Sequence, residues 1–226
     1  MHVHTVYSGD GYLTLKDIAR EAKAAGLDGV ALTDHDTVDA QRKSSDIDGL
    51  LMIPAVEVSS LSGHILAYGV TENIAPNRSA AETIDVIHSM GGVAIGAHIM
   101  RKSTTTLPAR DIGSLRLDGL ETVNASTLSP FAKNKAMGFA SDLNAFQTGG
   151  SDAHVHGLVG RAYTAVDAEV KTVDGVLNAL KRGRVTPVGG PAYTLQRATK
   201  VGLMIKRKIG FRGHLPSDRG QALTGP

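Results

Sequence analysis

The chain has 226 residues, a net charge of +2, no Cys and no Trp. That length points to one domain with a small appendage and is enough to bury a core. The missing Cys excludes a disulfide framework, a thiolate metal site and a thiol nucleophile.

Aromatic residues are only 4% of the chain, so the core must come from Ala, Val, Ile, Leu and Met. No apolar run reaches the roughly 18 residues of a membrane span, and membrane binding is not expected. The N-terminus lacks the charged-then-apolar order of a secretory leader. A cytoplasmic location is therefore the expectation, consistent with the absence of Cys. Charge is unevenly spread. Residues 197–226 sum to +6 and residues 1–196 to −4, so the tail alone makes the chain basic. The domain reading is 1–190, followed by a basic extension at 191–226. A solvated extension is the plain reading of that tail, and polyanion binding is the sharper one.

Along the chain, Thr14 to Gly26 has a helical pattern with Thr14 as N-cap and Gly26 as stop. Gly29 to Thr33 is a short apolar strand that leads into Asp34-His35-Asp36. Leu50 to Val58 reads as one strand carrying Glu57, and Gly63 to Val70 as another with His64 near its start. Asn77 to Met90 is helical, and Val93 to Ala97 is a strand that runs into His98. Gly119 to Val123 is a strand, and Pro130 to Asn144 a helix. Phe146 to Ser151 leads to Asp152-Ala153-His154. Arg161 to Val166 is a strand, and Thr172 to Arg182 a helix ended by Gly183. Strands alternate with helices, and polar residues gather at strand C-termini. That rhythm predicts an α/β fold with a parallel sheet closed into a TIM-like barrel, its chemistry at the C-terminal rim.

The polar residues form short blocks. His2 and His4 are two apart, so on an extended strand both imidazoles face one side. Asp152 and His154 repeat that spacing. Asp10, His35, Glu57, His64 and His98 complete the set of candidate metal ligands. Imidazole and carboxylate without thiolate suit Mn, Zn or Fe alike. Asp34 and Asp36 flank His35 and either bind metal or orient its ring. Glu57 is a charge inside an apolar strand, which requires a partner. His88, His156 and His214 are read as non-ligands.

The ordered set resembles the PHP (polymerase and histidinol phosphatase) superfamily of metal-dependent phosphoesterases. The resemblance rests on His2-Val3-His4-Thr5 with Tyr7 to Gly11, on Leu32 to Thr37, and on Ile53 to Glu57 with Gly63 to Gly69. Ala97-His98, Glu121 to Asn124, and Gly150 to His154 with Gly160-Arg161-Ala162 complete it. The likeness covers about residues 1–190 and is nearest to the compact, stand-alone branch of bacteria and archaea. It implies a distorted (β/α)7 barrel with two or three divalent ions. His2, His4, Glu57 and Asp152 would hold one, and Asp10, His35 and His154 a second. Glu57 would bridge to a third at His64 and His98. Two departures stand out. Only Met1 precedes His2, where the family has a first strand, so a misassigned start or a truncated chain is the expectation, with a frayed first strand that would weaken the His2/His4 site. Ile99 stands where a proline commonly follows the histidine.

The function expected is hydrolysis of a phosphate ester, on a small nucleotide or sugar phosphate, by a metal-activated water. Asp36, His154 and Arg161 are the candidate catalytic residues, the first two for proton transfer and Arg161 as a phosphate clamp beside Arg101 and Lys102. The alternatives are an exonuclease on nucleic-acid ends and a non-catalytic, metal-stabilised binding module.

Overall fold

A computed structural model describes residues 1–44, 47, 49–127 and 130–190. The basic extension at 191–226, with His214, lies outside the described residues. Helix α1 spans Leu15–Ala24. The Thr14 hydroxyl accepts from the Asp17 N–H, and the Asp17 carboxylate accepts from the Thr14 N–H, closing a capping box. Its buried face is Ile18, Ala19 and Ala22. Gly26, at φ +69°, takes the left-handed turn that ends it. Helix α3 (Ala80–Ser89) repeats the device with Ser79 and Glu82, two residues later than Asn77. Short helices α2 (Asp39–Arg42) and α4 (Ala109–Ile112), the longer α5 (Pro130–Asp142), and α6 (Val173–Lys181) complete the helices among the described residues.

Strands β1 (Gly29–Ala31) and β2 (Leu51–Ile53) pair in parallel. Strands β3 (Ala55–Ser60), β4 (Gly63–Tyr68), β5 (Val93–Gly96), β6 (Gly119–Asn124) and β7 (Phe146–Gly150) form a second sheet in that order. The third sheet is β8 (Ala162–Val166) with β9 (Val185–Gly189), antiparallel. The sequence did not signal β9. The single strand expected over Leu50 to Val58 is two strands broken at Pro54, which has no N–H for a ladder.

The expectation of an all-parallel sheet needs correction. The class is mixed α/β, but β3-β4 and β4-β5 are antiparallel. Only Leu61 and Ser62 separate β3 from β4, too few for the crossover that parallel strands need. The described strands fall into three sheets. Isolated bridges tie them: Val3 to Leu32 and to Ala153, and His35 to Glu57.

Those bridges place the N-terminus inside the fold. The His4 N–H donates to Ala153 at 2.9 Å, the Thr33 N–H to Val3 at 2.8 Å, and the Ser151 N–H to Met1 at 3.0 Å. Residues 1–4 are therefore held on both sides rather than frayed. Glu57 is in register with Leu66, and Leu66 with Ile95, so the three share a face. Leu66 and Ile95 are fully buried, each contributing on the order of 1.5–3 kcal/mol. The carboxylate of Glu57 is thus fixed on the rigid part of the sheet.

Candidate metal centre

The site gathers at strand ends. His2 and His4 flank the bridged Val3, His35 follows β1, Glu57 is on β3 and His64 on β4. His98 follows β5, and Asp152 and His154 follow β7. Three of these residues have left-handed backbones: His2 at φ +60°, His98 at +33° and Asp152 at +48°. Each such non-glycine residue costs about 1–3 kcal/mol, held in place by the surrounding packing.

Glu57 is the hub, at 1% exposure. Its Oε2 lies 3.3 Å from His2 Nε2, 3.2 Å from His4 Nε2 and 3.3 Å from His35 Nδ1. Its Oε1 lies 3.0 Å from His64 Nδ1 and 3.2 Å from His98 Nε2. Five imidazoles therefore surround one carboxylate. Asp152 Oδ1 is 3.7 Å from His2 Nε2 and 3.6 Å from His4 Nε2. Asp10 Oδ2 is 2.9 Å from His154 Nε2 and 3.6 Å from His35 Nε2. Potential ligand atoms lie within 4.8 Å of one another in three groups: His4, Asp10, His35 and His154; His2, His4 and Glu57; and His35, Glu57 and His64.

The arrangement fits divalent cations on one observation in particular. His2 Nε2, His4 Nε2 and His35 Nδ1 are buried without a hydrogen-bond partner, and all three face Glu57 Oε2. A buried polar atom left unpaired costs roughly 1–3 kcal/mol. A cation held by His2, His4 and the carboxylate, with a neighbouring one at His35, would satisfy all of them. The opposite ring edges are already engaged. His4 Nδ1 meets Ser8 Oγ at 3.0 Å, and Ser8 Oγ donates to Asp10 Oδ1 at 3.0 Å while accepting from the His35 N–H at 3.1 Å. The Ser8 oxygen thus accepts from His4, leaving the Nε2 lone pair inward. His154 Nδ1 likewise donates to the Asp152 carbonyl at 3.0 Å.

Charge is finely divided here. Burial opposes protonation of His2, but Glu121, Glu57 and Asp152 outweigh it and raise its pKa well above the ordinary histidine value. Burial, with His154 and His35 alongside, drives His4 the other way. Burial also opposes a charged His35, yet its bond to Asp10 and the charge of Glu57 lift it to about 9. Glu57 is held well below the carboxylate range despite burial, because its histidines favour the anion. Asp10 is held low against burial by His154 and His35. Burial pushes Asp34 up to about 6.

All nine residues expected to bind metal from the sequence meet here. The catalytic candidates divide. His154 is in the cluster, whereas the Asp36 carboxylate accepts from the Ser59 N–H at 2.7 Å and the Arg161 Nε donates to the Gly157 carbonyl at 3.2 Å. Arg101 donates to Asp152 Oδ2 at 2.9 Å, so it adjoins the centre. Asp34 binds the Thr5 N–H and hydroxyl rather than the cluster. His88 pairs with Asp118 and His156 with Glu21, as non-ligands. Sequence reasoning gave no role to Glu121, which contacts His2, or to Ser8. Glu121 carried the same signal as Glu57, a charge inside an apolar strand.

Comparison with known proteins agrees with this geometry. The PHP domain matches residues 1–112, and the PHP-associated region matches residues 130–185. An uncharacterized protein of Methanocaldococcus jannaschii is 31% identical over 150 residues, 61% of this chain and 87% of that protein. The chain belongs to the PHP family. Among solved structures, it is similar to a two-domain protein of Bacteroides vulgatus containing a PHP-like metal-dependent phosphoesterase. The TM-score is 0.65 at 20% identity, covering 84% of this chain and 63% of that one. It is also similar to a lesion-specific endonuclease of Pyrococcus furiosus, with TM-score 0.61 at 18% identity, covering 89% of this chain and 65% of that one. The chain thus spans just under two thirds of the length of each of these two structures. At such identities the likeness concerns the fold. No described helix is long and apolar enough to cross a membrane.

Proposed function

We propose that this chain is a metal-dependent phosphoesterase acting on a small phosphorylated substrate, a nucleotide or sugar phosphate. The observation that carries the reading is the set of unpaired, inward-facing imidazole nitrogens around Glu57. Two or three divalent ions, Mn, Zn or Fe, would be held by His2, His4, Glu57 and Asp152, by Asp10, His35 and His154, and by His64 and His98 with Glu57. When bound, they would supply Lewis acidity toward phosphoryl oxygens and a water acidic enough to act near neutral pH.

The chain's own groups do the rest. Ser8 and the Asp152 carbonyl fix the rings of His4 and His154. Arg101, paired with Asp152 and only partly buried, would offer phosphate a guanidinium beside the centre. Proton transfer from His154 to a leaving alkoxide would require its Nε2 to leave the ion shared with Asp10, because its Nδ1 is spent on the Asp152 carbonyl; Asp36 is engaged with Ser59. Arg161 stays a weaker phosphate contact, since its Nε is spent on Gly157.

A second reading, trimming of nucleic-acid ends, is supported by the seven basic residues of 197–226 and by the endonuclease with a similar fold. The test combines elemental analysis of purified protein with phosphate release from a metabolite panel and from oligonucleotides. Bound metal with release from small phosphates supports the first reading. Turnover only of oligonucleotides, weakening steeply with salt, supports the second. Metal-loaded protein that hydrolyses neither class is a metal-stabilised binding module, and the catalytic reading then fails.

A further inference from the structure

Glu121 lies on β6, 1% exposed, outside the three groups of converging ligand atoms. Its two oxygens nevertheless reach two separate parts of the centre. Oε1 accepts from His2 Nδ1 at 2.8 Å. Oε2 accepts from the His98 backbone N–H at 2.7 Å and from Asn124 Nδ2 at 2.9 Å.

Glu121 serves as an acceptor throughout, with Oε2 taking two N–H groups, so the hydrogen of that first bond belongs to His2 Nδ1. The opposite nitrogen, Nε2, is then the one turned toward Glu57 Oε2 at 3.3 Å. The second bond holds the backbone of His98 in its left-handed conformation, with its Nε2 3.2 Å from Glu57 Oε1. One side chain thus fixes a ring at Glu57 Oε2 and a loop at Glu57 Oε1. The sequence keeps space for it. A Cβ on Gly150 would sit 2.0 Å from Glu121 Oε1 and 2.6 Å from His2 Cβ. No side chain fits there, so glycine on β7 is what lets Glu121 and His2 meet.

We propose that Glu121 is a positioning residue for the metal centre, setting the ring of His2 and the His98 loop together, with Gly150 as the gap that admits it. The inference rests on the metal-dependent reading above and adds a residue that is not itself a ligand. A buried carboxylate behind a ligating histidine typically governs metal affinity by about 10–100-fold.

The test is titration of the full chain with Co(II), followed by its visible absorption, and with Mn(II) by calorimetry. The variants are Glu121→Ala, Glu121→Gln, His2→Ala and the His2→Ala/Glu121→Ala double variant, each with a thermal melt. Glu121→Ala is expected to weaken binding by about 10–100-fold and to shift the Co(II) absorption. Glu121→Gln keeps an acceptor for His2 Nδ1 and is expected to fall between wild type and alanine. In the His2→Ala background, Glu121→Ala is expected to cost clearly less, because the part of its effect that runs through the His2 ring is already lost. Lower melting temperatures with wild-type affinity and spectrum in the folded protein would mark Glu121 as merely structural and overturn the proposal. Full additivity with His2→Ala would overturn it too. Wild type that binds neither metal removes the metal-dependent reading and this inference with it. Wild type that binds normally beside an unaltered Glu121→Ala removes this inference alone.

Discussion

On one side of Glu57, the side chains of His2, His4, His98 and Asp152 are at most 3% exposed. On the other, His35 is 26% and Asp10 32% exposed, with His64 at 14%. The closed side is fastened from behind by Glu121, by the bridged N-terminal residues and by strained backbone at three positions. The open side is held by Ser8 and by mutual contact between Asp10, His35 and His154. The difference teaches that rigidity and access are assigned to opposite halves. Fixed ligands are built into the sheet, and a reactant can arrive only where the side chains are partly wet.

The sharpest way to break this comparison is to remove the group both halves share. Glu57→Ala is expected to abolish stoichiometric metal binding on both sides and lower phosphoesterase turnover by at least ~10³-fold, since metal-derived stabilisation is lost entirely. Elemental analysis and initial rates check it. Retention of full metal content would sink the hub role of Glu57.

His35→Ala strikes only the open half. It is expected to remove part of the bound metal and cut turnover by on the order of 10²-fold, with the fold intact. His2→Ala, on the closed half, is expected to disturb stability as well, because it leaves Glu121 buried without that partner. Comparing melts of the two variants tests the asymmetry directly.

Gly150→Ala probes the closed half without touching a ligand. Forcing a methyl group against Glu121 and His2 is expected to destabilise the protein by about 1–3 kcal/mol, measured by chemical denaturation. A neutral effect would mean that β7 has more freedom than its contacts indicate.

Acidity acts on stability and on metal binding with opposite signs. In metal-free protein His35 is raised to about 9 by Asp10 and Glu57 against burial. Its favourable contribution to stability is complete below its ordinary value near 6.5 and is lost as pH rises through about 9. Metal binding runs the opposite way, because a ligating imidazole must shed its proton. Apparent affinity is expected to rise up to about tenfold per pH unit between roughly 7 and 9 for one displaced proton. Calorimetry in buffers of different ionisation enthalpy counts that proton.

The smallest effects are expected outside both halves. Asp36→Ala removes the acceptor of the Ser59 N–H and is expected to cost about 1 kcal/mol of stability with little change in turnover. Arg161→Ala is expected to raise KM a few-fold at most, about 1 kcal/mol or less of phosphate attraction at an exposed site. A turnover collapse in either variant would return that residue to the catalytic group.

Much of the centre was legible because metal-binding chemistry constrains residue type and short spacing. His2-Val3-His4 and Asp152-Ala153-His154 declare one-sided pairs, and Glu57 declares a charge that must be matched. The helix starts at Thr14 and Thr172 were nearly as plain, since capping is a local hydrogen-bond rule, whereas the start at Ser79 falls two residues after the expected Asn77. Chain order does not carry the direction in which one strand meets another. Pairing of β4 with β5 and the extra strand β9 depend on neighbours distant in sequence, whereas the break at Pro54 and the short turn between β3 and β4 are local features that the apolar pattern hid. The same holds for Asp36 and Arg161, whose residue types suit catalysis but whose side chains the fold directs to Ser59 and Gly157. Sequence by itself determined which atoms are available to bind a cation. Only the tertiary structure decided which of them converge on Glu57, because convergence requires backbone from seven separate segments to be fixed by packing and hydrogen bonds formed across the whole fold.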